Sequence, residues 1–355
     1  MDIMDRLIKN TGGHIGVLRP YKAADGKDYV QINDRAVPMQ NAATYFPFLR
    51  NVTALPLESW KALDKAVADY AKNYKSGFQD VIDNGLVHRV SEYSKLFSSQ
   101  KIGSTADAVK DMDGVANRKV DTSTFDVDSV PLFVTHKDFE ISWRDKGAFG
   151  ASPYDGSGLA IDWDSTMIAE GVDKINDLNE KTLFQGYSVP YASNYVYGYT
   201  NKAGRNEVSL TYDWLDSGTD PSEIFIDVLD MYYAATAQNK QPMSKLYLYI
   251  DPSVQFRFQE DYKSYSDRTL YNRVMALEGM EAIRVTDQLP SYKQAVMVRM
   301  DVRSVRIIQG TPGIIPVMWF DNMSMQDNLK LLSIQEPQLR VDAEGYTSIS
   351  HGTKA

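Results

Sequence analysis

The feature that most constrains the fold of this chain is a long helical pattern at residues 159–186. Its apolar residues recur every three or four positions, and charged residues lie between them. At about 1.5 Å per residue, such a helix would be ~42 Å long, more than the diameter of a small domain. The pattern therefore predicts a spine across a flat, plate-like domain. The apolar stripe comprises Ile161, Ile168, Val172, Ile175, Leu178 and Leu183, and the charged residues between are Asp164, Glu170, Asp173, Asp177, Glu180 and Lys181.

A second amphipathic helix is predicted over residues 57–83, and Asn84-Gly85 is a typical helix end. Docking of its apolar face on the chain's own domain is the simpler interpretation, and contact with a partner is the alternative. In either case the face is a candidate helix-docking or subunit-contact site. Its residues are Trp60, Leu63, Val67, Tyr70 and Tyr74.

The segments before and after this helix have less regular patterns. Residues 1–54 contain scattered glycines and prolines, which predicts an extended arm with short ordered pieces. Residues 86–145 contain β-branched runs at 120–130, 132–135 and 139–143, which fit a long β-hairpin. Since a hairpin buries little surface of its own, we expect it to need outside contacts.

The C-terminal half predicts a mixed α/β unit. Residues 187–219 are rich in tyrosine and are interpreted as packed loops with their hydroxyls at the surface. Asp220-Pro221-Ser222-Glu223 is a helix start with a capping box. A buried-type strand at 245–250, two further helices and three short strands follow up to 308. Two last strands are predicted on either side of Pro337.

No catalytic motif is present. The chain lacks cysteine, and its histidines, His14, His88, His136 and His351, are too scattered to predict a metal site. We therefore expect no catalytic residues, no metal and no cofactor, although an enzyme site assembled from distant residues stays an alternative. The net charge of −9 disfavours a dedicated nucleic-acid binder. No apolar stretch is long enough to cross a membrane, and the acidic N-terminus is unlike a signal peptide.

The order of these elements resembles the Hong Kong 97 fold of tailed-phage major capsid proteins and the related encapsulin shell proteins. Residues 55–64 are similar to the encapsulin N-terminal helix, with its proline, tryptophan and acidic positions. Residues 180–187 resemble the end of the encapsulin spine helix, and residues 246–252 and 305–310 resemble strands of the apical domain.

The resemblance implies an α+β, Hong Kong 97-like capsid fold with an N-terminal arm, an extended β-hairpin loop, a long spine helix and a compact α/β apical domain. It divides the chain as follows: arm 1–54, amphipathic N-terminal helix 55–88, hairpin loop 89–150, peripheral domain with the spine helix 151–220, apical domain 221–312, and return strands of the peripheral domain with the C-terminal tail 313–355.

The function implied is that of a major capsid protein, not an enzyme. Such a protein assembles with itself into hexamers and pentamers of an icosahedral shell around phage double-stranded DNA, without sequence-specific binding and without a membrane. Scaffold, portal or decoration proteins are implied partners, and the location is the virion capsid, assembled in the host cytoplasm. The alternative is an encapsulin-type compartment that encloses a cargo enzyme. The arm has no counterpart in compact encapsulins, which favours a phage coat protein.

Overall fold

The computed structural model describes residues 20–22, 27–32, 35–38, 55–56, 76–102, 125–142, 163–188, 195–236, 242–263, 268–321, 325–341 and 345–354. Its α-helices in these ranges are the N-terminal helix Ser76–Asp83, the spine helix Trp163–Gln185, the apical helix Pro221–Ala235 and the short helix Leu270–Met275. A 3-10 helix occupies Pro252–Gln259. Among the described helices, none has the length and apolar character needed to span a bilayer.

A five-stranded mixed sheet, here called the apical sheet, lies between two clusters of buried apolar side chains. Leu246–Ile250 is buried at every position. Its even-numbered residues face the apical helix and the 3-10 helix, whereas Tyr247 and Tyr249 face the spine and N-terminal helices. Both faces are therefore covered. In spatial order the strands are Asn206–Ser209, Ile349–Thr353, Gln294–Arg299, Leu246–Ile250 and Met280–Val285.

The remaining strands form smaller sheets. A three-stranded sheet, here called the central sheet, has the order Gln335–Leu339, Val305–Gln309, Val87–Arg89. A second three-stranded sheet has the order Ile315–Asp321, Gln326–Ser333, Thr135–Ser142. Leu96–Ile102 pairs with Phe125–Pro131, and Tyr187–Ser188 pairs with Tyr195–Val196. Near the N-terminus the order is Arg35–Pro38, Asp28–Ile32, Pro20–Lys22, Leu55–Pro56.

Three strands lie in sheets other than those expected. Residues 349–353, expected in the return strands and C-terminal tail, form an inner strand of the apical sheet. Val305–Gln309, expected in the apical domain, pairs instead in the central sheet. Thr135–Ser142 was expected in the hairpin but pairs with Gln326–Ser333. Local sequence patterns identify strands but carry no information about their distant partners, so the sequence could not predict these three pairings.

Helix ends agree closely with the sequence patterns. The N-terminal helix ends at Asp83 in a Schellman motif, with the Gly85 N–H bonded to the Ile82 carbonyl and the Leu86 N–H to the Val81 carbonyl. Gly85 has a φ of 71°, in the left-handed region that glycine tolerates. At the start of the apical helix, the Glu223 carboxylate accepts a hydrogen bond from the Asp220 N–H at 3.0 Å, as the capping box predicts.

The spine helix has 23 residues in the described part of the chain, about 34 Å, which falls within the predicted 159–186. Ile168, Val172, Ile175 and Leu183 of the predicted stripe are buried. Glu180, one of the charged residues between the apolar positions, is completely buried. The expectation of surface hydroxyls in the tyrosine-rich segment was wrong at Tyr199, which is completely buried.

Candidate functional site

The strands Leu96–Ile102 and Phe125–Pro131 form a two-stranded hairpin. No third strand joins it within the described residues. Leu96 and Val127 are 54% and 61% exposed, although both are apolar. Because a two-stranded ribbon is marginally stable on its own, these side chains make the hairpin a surface suited to contact with another molecule.

The root of the hairpin is fixed to the central sheet by one buried amide, that of Gln338. Its Nε2 donates to Asp128 Oδ2 at 2.9 Å and to Ser99 Oγ at 3.0 Å. Its Oε1 accepts from Arg306 Nε at 2.7 Å. Lys202 Nζ lies 3.7 Å from the other oxygen of Asp128. Since Ser99 and Asp128 are on different strands of the hairpin, the Gln338 side chain contacts both strands.

A buried carboxyl group, Glu336, lies in the same strand as Gln338. Burial raises the pKa of Glu336 to about 8, although a hydrogen bond from the Phe133 backbone acts in the opposite direction. Its Oε2 has no hydrogen-bond partner in the described part of the chain. Glu336 is therefore mostly protonated at neutral pH, and the hairpin root carries less negative charge than its sequence suggests.

A second buried carboxyl group, Glu180, connects the spine helix to the N-terminal helix and the apical sheet. Its Oε1 accepts from the Gly77 N–H at 3.0 Å and its Oε2 from the Phe78 N–H at 2.8 Å. Thr286 Oγ1 donates to Oε1 at 3.3 Å. The two amides lie in the first turn of the N-terminal helix, where N–H groups lack partners within the helix. Glu180 thus caps this helix from a different helix.

The cap requires glycine at position 77. A Cβ atom at this position would lie 2.7 Å from Phe184 Cε2 and 3.0 Å from Glu180 Oε1. Both distances are shorter than a carbon atom tolerates without displacement of its neighbours. The absence of a side chain at Gly77 therefore lets the two helices approach closely enough for the carboxylate to reach the amides.

Asp80 lies one turn further along the N-terminal helix and is also buried. It accepts hydrogen bonds from the Tyr249 hydroxyl at 3.1 Å and from Arg284 Nε at 3.2 Å. The Nη2 of Arg284 lies 3.1 Å from its other oxygen. Arg284 is half exposed on an edge strand of the apical sheet, so one end of this ion pair is in contact with solvent. We call Glu180, Asp80 and Arg284 with their partners the carboxylate junction.

Burial controls the electrostatics of the carboxylate junction. It raises the pKa of Glu180 to about 7, although the amides of Phe78 and Gly77 lower it. Burial also raises the pKa of Asp80, and the charge of Arg284 opposes this. Glu180 thus titrates close to neutral pH. The groups of the junction hydrogen-bond to one another, and this arrangement positions the two helices against the apical sheet.

A family of unknown function, DUF6260, matches residues 50–352. The chain belongs to this family. No curated protein sequence matches the chain.

Three solved structures resemble this family member. A virus-like particle from Pyrococcus furiosus has a TM-score of 0.56 at 12% identity and covers 83% of this chain and 99% of that chain. The capsid of Myoviridae phage XM1 has a TM-score of 0.59 at 10% identity, with 77% and 91% covered. The capsid of an empty GTA particle has a TM-score of 0.53 at 13% identity, with 78% and 90% covered. The Hong Kong 97 fold predicted from the order of elements is thereby confirmed.

The predicted contact residues are not tested by the structure. Trp60, Leu63, Val67, Tyr70 and Tyr74 lie outside the described residues, and their role stays a prediction. Within the described ranges, no three His, Asp or Glu side chains are placed to hold a metal ion.

Sequence reasoning missed the residues that form both sites. Glu180 was named only as one of the charged residues between the apolar positions of the spine helix. A signal was nevertheless present, because Val172, Asn176, Glu180 and Leu183 follow one another at helical spacing and share one face. Asn176 and Glu180 are indeed buried. For Gln338, the sequence contains no comparable signal.

Proposed function

We propose that this protein is a major capsid protein that assembles with itself into hexamers and pentamers of an icosahedral shell enclosing phage double-stranded DNA. The observation that carries the proposal is the two-stranded hairpin with exposed Leu96 and Val127 on a Hong Kong 97 fold. A neighbouring copy would cover these side chains, and many such weak contacts cooperate in a closed shell. Assembly in the host cytoplasm and contacts with scaffold, portal or decoration proteins belong to the same proposal.

A protein nanocompartment of the encapsulin type is the second candidate. The match to the Pyrococcus furiosus virus-like particle, which covers 99% of that chain, favours it. Such a shell would enclose a cargo enzyme in place of DNA, with residues 57–83 as the cargo surface. The two candidates share self-assembly and differ in their contents.

The deciding experiment is light scattering with negative-stain imaging of the purified chain, followed by analysis of what the particles enclose. Closed particles of megadalton mass are expected for the wild type. A variant without residues 1–50 should stay folded but form no closed shells, because the arm is proposed to cross to neighbouring subunits. A wild-type chain that stays monomeric, alone and with its scaffold, would refute both candidates. Protein cargo in place of DNA would favour the compartment.

A further inference from the structure

Two arginines, Arg306 and Arg340, share the end of the central-sheet face that carries Gln338, and a third, Arg303, lies in the turn that adjoins this end. Arg306 lies opposite Gln338 in the antiparallel pairing of the two strands. Arg340 is two residues beyond Gln338, and its N–H continues the ladder by bonding to the Ser304 carbonyl. Arg306 and Arg340 are therefore diagonal neighbours on one face. Arg303 is exposed in the adjoining turn, where Arg340 Nη1 bonds to the Val302 carbonyl at 3.3 Å.

None of these three arginines has a carboxylate partner within the described residues. Arg306 donates to the Gln338 amide oxygen, and its guanidinium lies 5.1 Å from the centre of the Phe97 ring. The acidic side chains nearby are already paired, Asp128 with Lys202 and Asp301 with Arg299. The charges of Arg306 and Arg340 repel each other, and Asp128, which already pairs with Lys202, only partly offsets the charge of Arg306.

The chemistry of the face selects its partner. A guanidinium forms paired hydrogen bonds with a carboxylate, and an unpaired cluster of guanidiniums is stabilised when carboxylates approach it. The chain has 47 acidic against 38 basic residues, so a second copy presents an excess of carboxylates. The face also adjoins the hairpin root, and the proposed function brings a neighbouring copy to this hairpin.

We propose that the arginine face, Arg303, Arg306 and Arg340, binds carboxylates of a second copy of this chain in the assembled shell. The inference rests on the proposed function and deepens it by naming the electrostatic part of one subunit contact. Double-stranded DNA is the competing ligand, since its phosphates would respond to the same charge.

The test compares two double variants that lose the same charge. One is Arg303→Gln with Arg340→Gln; Arg306 is kept because it holds Gln338. The control is Lys174→Gln with Lys181→Gln, at two exposed lysines of the spine helix. The measured quantity is the subunit concentration at which half of the protein is in particles, in 50 mM and 500 mM NaCl. Circular dichroism of each variant checks its fold.

We expect the arginine variant to raise this concentration roughly tenfold at low salt and the control to raise it less than about twofold. The difference should shrink at high salt because exposed charges are screened. Arg303→Lys with Arg340→Lys keeps the charge and should stay within about threefold of the wild type. Equal concentrations for the arginine variant and the lysine control would overturn the inference while leaving the proposed function intact.

Two further outcomes separate the remaining explanations. If the wild type forms no particles either alone or with its scaffold, the proposed function fails, and this inference fails with it. Anisotropy of a labelled DNA duplex in 50 mM NaCl tests the competing ligand. If the wild-type subunit binds the duplex and the arginine variant does not, while both assemble at the same concentration, the face binds nucleic acid and the inference is wrong.

Discussion

Replacing Glu180 by glutamine should remove a pH dependence of stability from this protein. The pKa of Glu180 is about 7 in the folded state, against an ordinary value of 4.5. The folded protein therefore binds this proton more tightly than the unfolded chain. The stabilisation is complete below about pH 4.5 and is lost as the pH rises to about 7. At 1.36 kcal/mol per pKa unit, the loss is about 3 kcal/mol.

Glutamine also changes the hydrogen bonds of the cap. Its amide has one carbonyl oxygen, so one of the N–H groups of Gly77 and Phe78 loses its acceptor. A buried N–H without a partner costs about 1–3 kcal/mol at any pH. The variant should therefore be about 1–3 kcal/mol less stable than the wild type at pH 5, and this difference should shrink by about 2.5 kcal/mol between pH 5 and pH 8, so that it closes or reverses.

The assay is urea unfolding of the unassembled subunit, followed by tryptophan fluorescence at pH 5, 6, 7 and 8. The pKa of His351 is lowered to about 4 by burial and by Arg205. Its stabilisation is lost as the pH falls from about 6.5 to 4, but it is present in both proteins and cancels in the difference. A gap between wild type and variant that is the same at pH 5 and pH 8 would refute the reasoning.

Two substitutions test the other close contacts. Gly77→Ala should reduce the free energy of unfolding in the same urea titration by about 1–3 kcal/mol, because the new Cβ would overlap Phe184. Gly218→Ala is the control and should have little effect, because the nearest atom to its Cβ would lie 3.6 Å away. Equal effects would contradict the packing argument. Gln338→Leu should speed hydrogen exchange in Leu96–Ile102, because it removes three hydrogen bonds at the hairpin root. Gln335→Leu is the matched control, because it removes a buried amide that has no hydrogen-bond partners in the described chain. Faster exchange in both variants would contradict a specific role of the Gln338 hydrogen bonds in holding the hairpin.

The sequence was sufficient for features that depend on neighbours along the chain. The spine helix, the Schellman end at Gly85 and the capping box at Asp220 were predicted because helical spacing and end signals are local. The order of these elements also led to the correct fold, since order is a property of the whole sequence that chance rarely reproduces.

The sequence did not predict contacts between residues that are far apart along the chain. Ile349–Thr353 lies between Asn206–Ser209 and Gln294–Arg299, and nothing in its own residues identifies these partners. The same holds for Asp80, whose ion pair with Arg284 spans 204 residues. A charged residue is expected at the surface because burying an unpaired charge is costly. Only the folded structure shows that a buried carboxylate such as Asp80 has a hydrogen-bonding partner that offsets this cost.

The carboxylate junction also explains how the apical sheet and the spine helix can keep a defined mutual orientation. Apolar contact alone is non-directional, so a face formed only by Val296, Val298 and Leu183 would tolerate small rotations. The hydrogen bonds of Glu180 and Asp80 have preferred distances and angles, and each reaches a different element. If one element rotates, a buried carboxyl group loses a partner, which costs more than a slight loss of apolar contact. The polar groups in this core therefore fix orientation, whereas the apolar groups around them supply most of the stability.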